Sequence, residues 1–184
     1  MSAAASLRAG AIAGFLLLAT VAGRAQESLE YNVKAAFLLN FVRFIEWPEA
    51  AFTDARAPIN ICVFSDNPFG DTLEKMVQGE MAAGRVLAVR QVRAAGDLSA
   101  CHMVFVPSSS DDRSAAVLRN PGAPAVFVGE SSRFLGRGGA VNLFTEGGRV
   151  RFDVNLAPVE QRGIRISARM LQLATHVNRP PTDK

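Results

Sequence analysis

Apolar residues cover nearly every face of the first long periodic segment, Tyr31 to Trp47, which Pro48 stops. Its length and its lack of Gly or Pro predict a helix. At 100° per residue, Leu38, Phe41 and Ile45 gather round Lys34. Phe37, Leu39, Val42 and Phe44 fill most of the rest, and only Asn40, Arg43 and Glu46 mark a broken polar side. A helix apolar on most sides must be buried on more than one of them, by central packing or by a partner.

The pattern then changes to short apolar runs separated by turn residues. Ile59–Phe64, Met103–Val106 and Ala125–Val128 read as buried strands, and Arg85–Val92 as an alternating one. Between them, Phe69–Met76, the segment from Ser108 to Leu118, and Ser131–Leu135 read as helices, with a turn over Pro121–Pro124. Ala140–Thr145 and Arg149–Asn155 flank Glu146-Gly147-Gly148 and form a hairpin. Ser167 caps a last helix to Val177, with Met170, Leu173 and Val177 as its core stripe and a frayed tail from Pro180. Strands alternating with helices predict a single-domain α/β layered fold. Its sheet is mostly parallel in a flavodoxin-like order, 2-1-3-4 continued by the hairpin, with helices on both faces.

Residues 1–25 stand outside this pattern. Arg8 precedes the 14-residue apolar run Ala9–Ala22, and Gly23-Arg24-Ala25 places small residues at the −3 and −1 positions. That predicts a secretory signal peptide cleaved after Ala25, with the domain over 26–184. Fourteen residues is short for a membrane span. The remaining 159 residues carry 18 basic and 17 acidic side chains. A near-neutral chain without a basic run offers nucleic acid no electrostatic footprint.

Export bears on Cys62 and Cys101. In an oxidising compartment such a pair is expected to form a disulfide. Free thiols are one alternative, and two ligands of a metal site with His102 and His176 are another, although the spacing fits no zinc pattern.

No hydrolase, metalloprotease, P-loop or dinucleotide motif is present, so no cofactor is implied. Gly136, Gly138 and Gly139 precede a strand, not a helix, and read as a turn. His102 and Ser108–Asp111 lie at opposite ends of a four-residue strand, roughly 13 Å apart, which argues against a catalytic site. Three residues are candidates for a small ligand: Lys34, odd within its apolar stripe, and Arg169 and His176, together on one face of the last helix. The Ser65–Gly70 turn, at a strand's C-terminal end, offers N–H groups to a small anion.

Tyr31-Asn32-Val33-Lys34-Ala35-Ala36-Phe37-Leu38-Leu39-Asn40-Phe41, continued by Phe44-Ile45-Glu46-Trp47-Pro48, resembles the YfiR-like family of exported bacterial proteins. Further similar segments are Ile61-Cys62-Val63, Asn67-Pro68-Phe69-Gly70, Cys101-His102, Arg149–Asn155 and Gly163 through Ala174. The resemblance implies regulation rather than catalysis. The expected role is repression of an inner-membrane diguanylate cyclase from the periplasm, with control of cyclic di-GMP and biofilm growth. It also implies a homodimer and a disulfide at Cys62 and Cys101. A second cysteine pair near the hairpin, found in some members, is absent here. The partner candidates are Phe41, Phe44 and Ile45 on the first helix, and Glu160, Ile164 and Arg165 near the last. The alternative is a small-molecule-binding sensory subunit of another membrane receptor, such as a histidine kinase. A hydrolase has no motif in its favour.

Overall fold

The computed structural model describes residues 26–119 and 124–180. The predicted signal peptide, most of the 121–124 turn and the last four residues lie outside them. The elements are helix α1 over 26–44, β1 (Ile45–Glu46), β2 (Ile59–Phe64), α2 (Thr72–Val77), β3 (Met81–Ala82) and β4 (Arg85–Val92). There follow β5 (Met103–Val106), α3 (Ser114–Leu118), β6 (Val126–Gly129), β7 (Val141–Glu146) and β8 (Arg149–Asn155). The chain closes with α4 (Ala157–Glu160), β9 (Arg165–Ile166), α5 (Ala168–Leu173) and β10 (Val177–Asn178).

Eight strands form one sheet in the order β10-β8-β7-β6-β5-β2-β4-β3. The run β4-β2-β5-β6-β7 is parallel throughout, and β7–β8 is the antiparallel hairpin. This is the expected flavodoxin-like order. The strand sequences explain why both faces are covered. Ile59, Ile61 and Val63 of β2 and Met103 and Phe105 of β5 point into one apolar layer, with α1, α2 and α5. Cys62, Phe64, Val104 and Val106 point into the other, with Leu98, Val117, Leu118 and Phe134. A strand buried on both faces is apolar at nearly every step, which is why these runs, Asn60 apart, do not alternate. Cys62 and Cys101 form a disulfide within the second layer.

The hairpin turns on Gly147 and Gly148, at φ 57° and 73°. Two successive left-handed residues make the turn that matches the twist of a strand pair.

Both terminal helices end early. The first yields to β1, whose Ile45 pairs with Ile166, while the Phe44 carbonyl accepts from the Ser167 N–H. The last stops at Leu173 because the chain then joins the sheet. The Thr175 N–H reaches the Phe152 carbonyl, and Val177 pairs with Val154. Ser167 caps α5 as expected, its side chain accepting from the Met170 N–H. Met170 is core, whereas Leu173 is 70% exposed, so the expected stripe is broken. The helix expected over Phe69–Met76 starts at Thr72, since the Asn67 side chain binds the Phe69 N–H and the Gly70 carbonyl and holds a turn there. The helix expected over Ser131–Leu135 is a bend followed by a 3-10 turn, Leu135–Arg137.

That bend exists to bury Phe134. Its ring lies between two glycines: a Cβ on Gly129 would stand 2.4 Å from the ring, and one on Gly139 2.2 Å. Both positions require glycine for space. Gly139→Ala is therefore expected to destabilise the fold by about 1–3 kcal/mol, the range for overpacking a filled core. A denaturant midpoint unchanged from wild type would contradict this reading of the ring.

Candidate functional site

A buried polar cluster lies where α1 crosses the C-terminal ends of the parallel strands. Tyr31 and Lys34 lie one turn apart on α1. Glu130 immediately follows β6, and Ser108 follows β5. The Glu130 side chain is 3% exposed and that of Lys34 5%. One Glu130 carboxylate oxygen accepts from the Tyr31 hydroxyl at 2.9 Å and the Ser108 N–H at 2.8 Å. The other accepts from Lys34 Nζ at 2.6 Å. Lys34 also pairs with Glu30, one turn earlier, at 2.5 Å. Glu N-terminal to Lys at this spacing is the favourable order on a helix.

The protonation states follow from these contacts. Burial alone would lower the Lys34 ammonium, but its hydrogen bonds to Glu130 and Glu30 outweigh that and raise it. Burial, then the Glu130 carboxylate, push the Tyr31 phenol up. At neutral pH the cluster therefore holds Lys34 as an ammonium and Tyr31 as a neutral phenol, each satisfied within the fold. It supplies no poised base or nucleophile. What it does is clamp α1 to the sheet.

The clamp borders an open cleft of about 420 Å³ between the first turns of α1 and the turn after β2, lined by Glu27, Tyr31, Asn32, Phe69, Gly70 and Asp71 among others. Tyr31 packs edge-on against Phe69, which packs against Phe105 of β5. Beside it, the loops that leave β2, β5 and β6 are tied to each other. Arg113 donates to the Ser65 hydroxyl at 2.6 Å and to that of Ser110 at 3.3 Å, and Asp111 accepts from Ser131 and Arg137. The N–H groups expected to offer an anion site are partly engaged: Ser65 donates to Val92 and Phe69 to the Asn67 side chain.

His102 works at the opposite end of the sheet. Its Nδ1 accepts from the Asn60 N–H, so Nε2 carries the proton and donates to the Ala51 carbonyl at 3.1 Å. The ring stacks on Phe52 and meets Trp47 edge-on. Burial pushes its imidazole below the ordinary value, the Ala51 hydrogen bond opposes this, and nearby Arg85 adds to the lowering. A histidine lowered in the fold binds its proton more readily when unfolded. The protein should therefore lose stability as pH falls below about 6.5 toward the depressed folded value. Melting temperatures between pH 7.5 and 5 should fall less steeply for His102→Gln than for wild type. Equal slopes would contradict a buried neutral His102.

The other expected site residues are scattered. Lys34 is held by the clamp and is not free for a ligand. Arg169 is exposed on α5. His176 lies beyond the helix end, on the strand side of a turn, with Nδ1 3.0 Å from Asp153. The expected shared helical face of Arg169 and His176 is not formed. Cys62 and Cys101 are bonded to each other, so they are not metal ligands. Among the described residues no cluster of His, Cys, Asp and Glu could hold a metal ion.

Three of the partner candidates need the same correction. Phe41, Ile45 and Ile164 are core residues and Phe44 is half-buried. The cause is double packing: α1 lies on the sheet through Leu38 and Phe41, with Phe41 4.9 Å from Phe152, and is flanked by the C-terminal segment through the Ile45–Ile166 pair. Central packing thus accounts for its apolar wheel. Glu160 and Arg165 are exposed, and Arg165 binds Glu46. Glu130 was not singled out from the sequence, though an acid ending a fully apolar strand is a signal for a buried cationic partner.

The model of the YfiR/HmsC-like family, DUF4154, matches residues 31–175. The chain belongs to the YfiR/HmsC-like family. The match begins at Tyr31 of the clamp and runs through the disulfide, Glu130 and the hairpin to Thr175, so it takes in the whole sheet except β10. Membership places the chain in a family of periplasmic regulatory proteins. No curated protein matches the chain significantly.

Proposed function

We propose that this protein is an exported periplasmic repressor of a membrane-bound diguanylate cyclase. It acts by protein–protein contact with the cyclase's periplasmic portion, and so restrains cyclic di-GMP and biofilm growth. The observation that carries this reading is the family match over 31–175. Two features agree with it. A disulfide suits an oxidising compartment, and the most buried charged cluster is spent on holding α1 rather than on chemistry.

The cleft beside Tyr31 favours a second reading, a small-molecule-binding sensory subunit of another membrane receptor such as a histidine kinase. Cross-linking the exported protein in intact cells, followed by mass spectrometry of its membrane partner, separates the two. A membrane protein with a diguanylate cyclase domain is the expected result. A sensor kinase in its place would put the second reading first, and the absence of any membrane partner would overturn both.

A further inference from the structure

The sheet ends on β4 along most of its length. β2 pairs with β4 from Leu87 to Val92, whereas β3 covers the other side only at Arg85 and Val86. The Leu87 N–H points outward to the Glu80 carbonyl, and the Val92 carbonyl points inward to the Ser65 N–H. Backbone groups alternate sides along a strand, so Val89 and Gln91 share the outward direction of Leu87. Among the described residues no strand meets them.

The edge has two distinct faces. On one, an open groove of about 440 Å³ runs between α2 and β4, with Val77, Leu87 and Val89 in its lining beside the charged Asp71, Glu74 and Lys75. On the other, Arg90 is exposed. At the end of the edge, the directly paired Met81 and Val86 are 54% and 51% exposed. Unpaired edges are templates for another strand, and proteins usually blunt them. Here β3 blunts two residues and leaves the rest open.

We propose that the outer edge of β4, residues 88–92, accepts an extended segment of another protein as an added strand. That segment carries apolar side chains toward the α2 groove and acidic ones toward Arg90. A second copy of this chain fits poorly. Antiparallel self-pairing centred on Arg90 sets like charges directly opposite, pairing centred on Val89 drives the second strand into β3 at Val86, and pairing centred on Gln91 overlaps only residues 90–92, because the strand ends at Val92. The proposal deepens the repressor reading by giving the membrane partner a surface, and depends on that reading only for the partner's identity.

The probe is a blocked hexapeptide alternating Val and Glu, titrated into the exported protein with backbone amides followed by NMR. Slowed exchange and shifted resonances are expected at Val89 and Gln91. Val89→Pro removes an N–H that the fold does not use, and Arg90→Glu reverses an exposed charge without touching the backbone. Each should weaken peptide binding at least tenfold, with Arg90→Glu keeping the wild-type melting temperature. No change at the two amides, or binding by both variants as tight as by wild type, would overturn the proposal. So would a wild-type dimer that Val89→Pro converts to monomer, since the edge would then belong to a second copy. In cells, both variants at wild-type abundance should fail to lower cyclic di-GMP, and repression equal to wild type would overturn the edge as the docking site. Failure of the wild-type chain to repress would count against the repressor reading alone, with the peptide titration still deciding the edge.

Discussion

Lys34→Met is expected to lower the unfolding free energy by about 3–5 kcal/mol, the range for breaking a buried ion pair by removing one partner. The substitution keeps the length and apolar stem of the side chain. It leaves the Glu130 carboxylate, with a side chain 3% exposed, without its cation. Tyr31 and Ser108 still donate to that carboxylate, but neither supplies a charge. The double variant Lys34→Met with Glu130→Gln should recover part of the loss, because a neutral amide can still accept from both donors. Urea midpoints of the wild type, the two single variants and the double variant give the coupling energy directly. Simple additivity of the two single losses would show that the clamp is not a coupled unit.

The second large effect concerns the disulfide. Cys62 lies on β2 and Cys101 just before the adjacent β5, 39 residues apart. Closing a loop of that length constrains the unfolded chain by about 4 kcal/mol in the chain-entropy model. Replacing both cysteines by serine should therefore lower the melting temperature by about 10 °C, at 2–4 °C per kcal/mol for a protein of this size. Serine hydroxyls buried in the second apolar layer would add to the loss. A double variant that melts with the oxidised wild type would contradict a stabilising bridge.

Much of this architecture was legible along the chain. The ends of β2 and β5 agree with the sequence pattern because a strand buried on both faces is written as a nearly unbroken apolar segment, and those of β4 and β8 because turn residues bound their alternating runs. The order β4-β2-β5-β6 sets β2 beside β5, as a bridge between Cys62 on β2 and Cys101 before β5 requires. What stayed hidden was tertiary. β1, β9 and β10 have two residues each, too few to show a period, and they exist because a distant segment offers hydrogen bonds. For that reason α1 and α5 end before their apolar patterns do.

The site was legible in half. Lys34 stood out as a cation in an apolar stripe, but its partner Glu130 lies 96 residues away, and no local pattern joins them. Phe134 between Gly129 and Gly139 is the same kind of case, since those glycines answer to a ring, not to a turn. Phe41 and Ile45 fall as partner candidates for a related reason. An apolar wheel reports burial, and only the position of the C-terminal segment tells whether this chain or another provides it.

The central claim is that this protein holds down a membrane diguanylate cyclase. The most direct measurement is the cyclic di-GMP content of cells lacking its gene, with and without complementation by the exported chain. A repressor gives a rise on deletion that complementation reverses, and a complementing chain without residues 1–25 has no effect. An unchanged cyclic di-GMP pool in the deletion strain would contradict it.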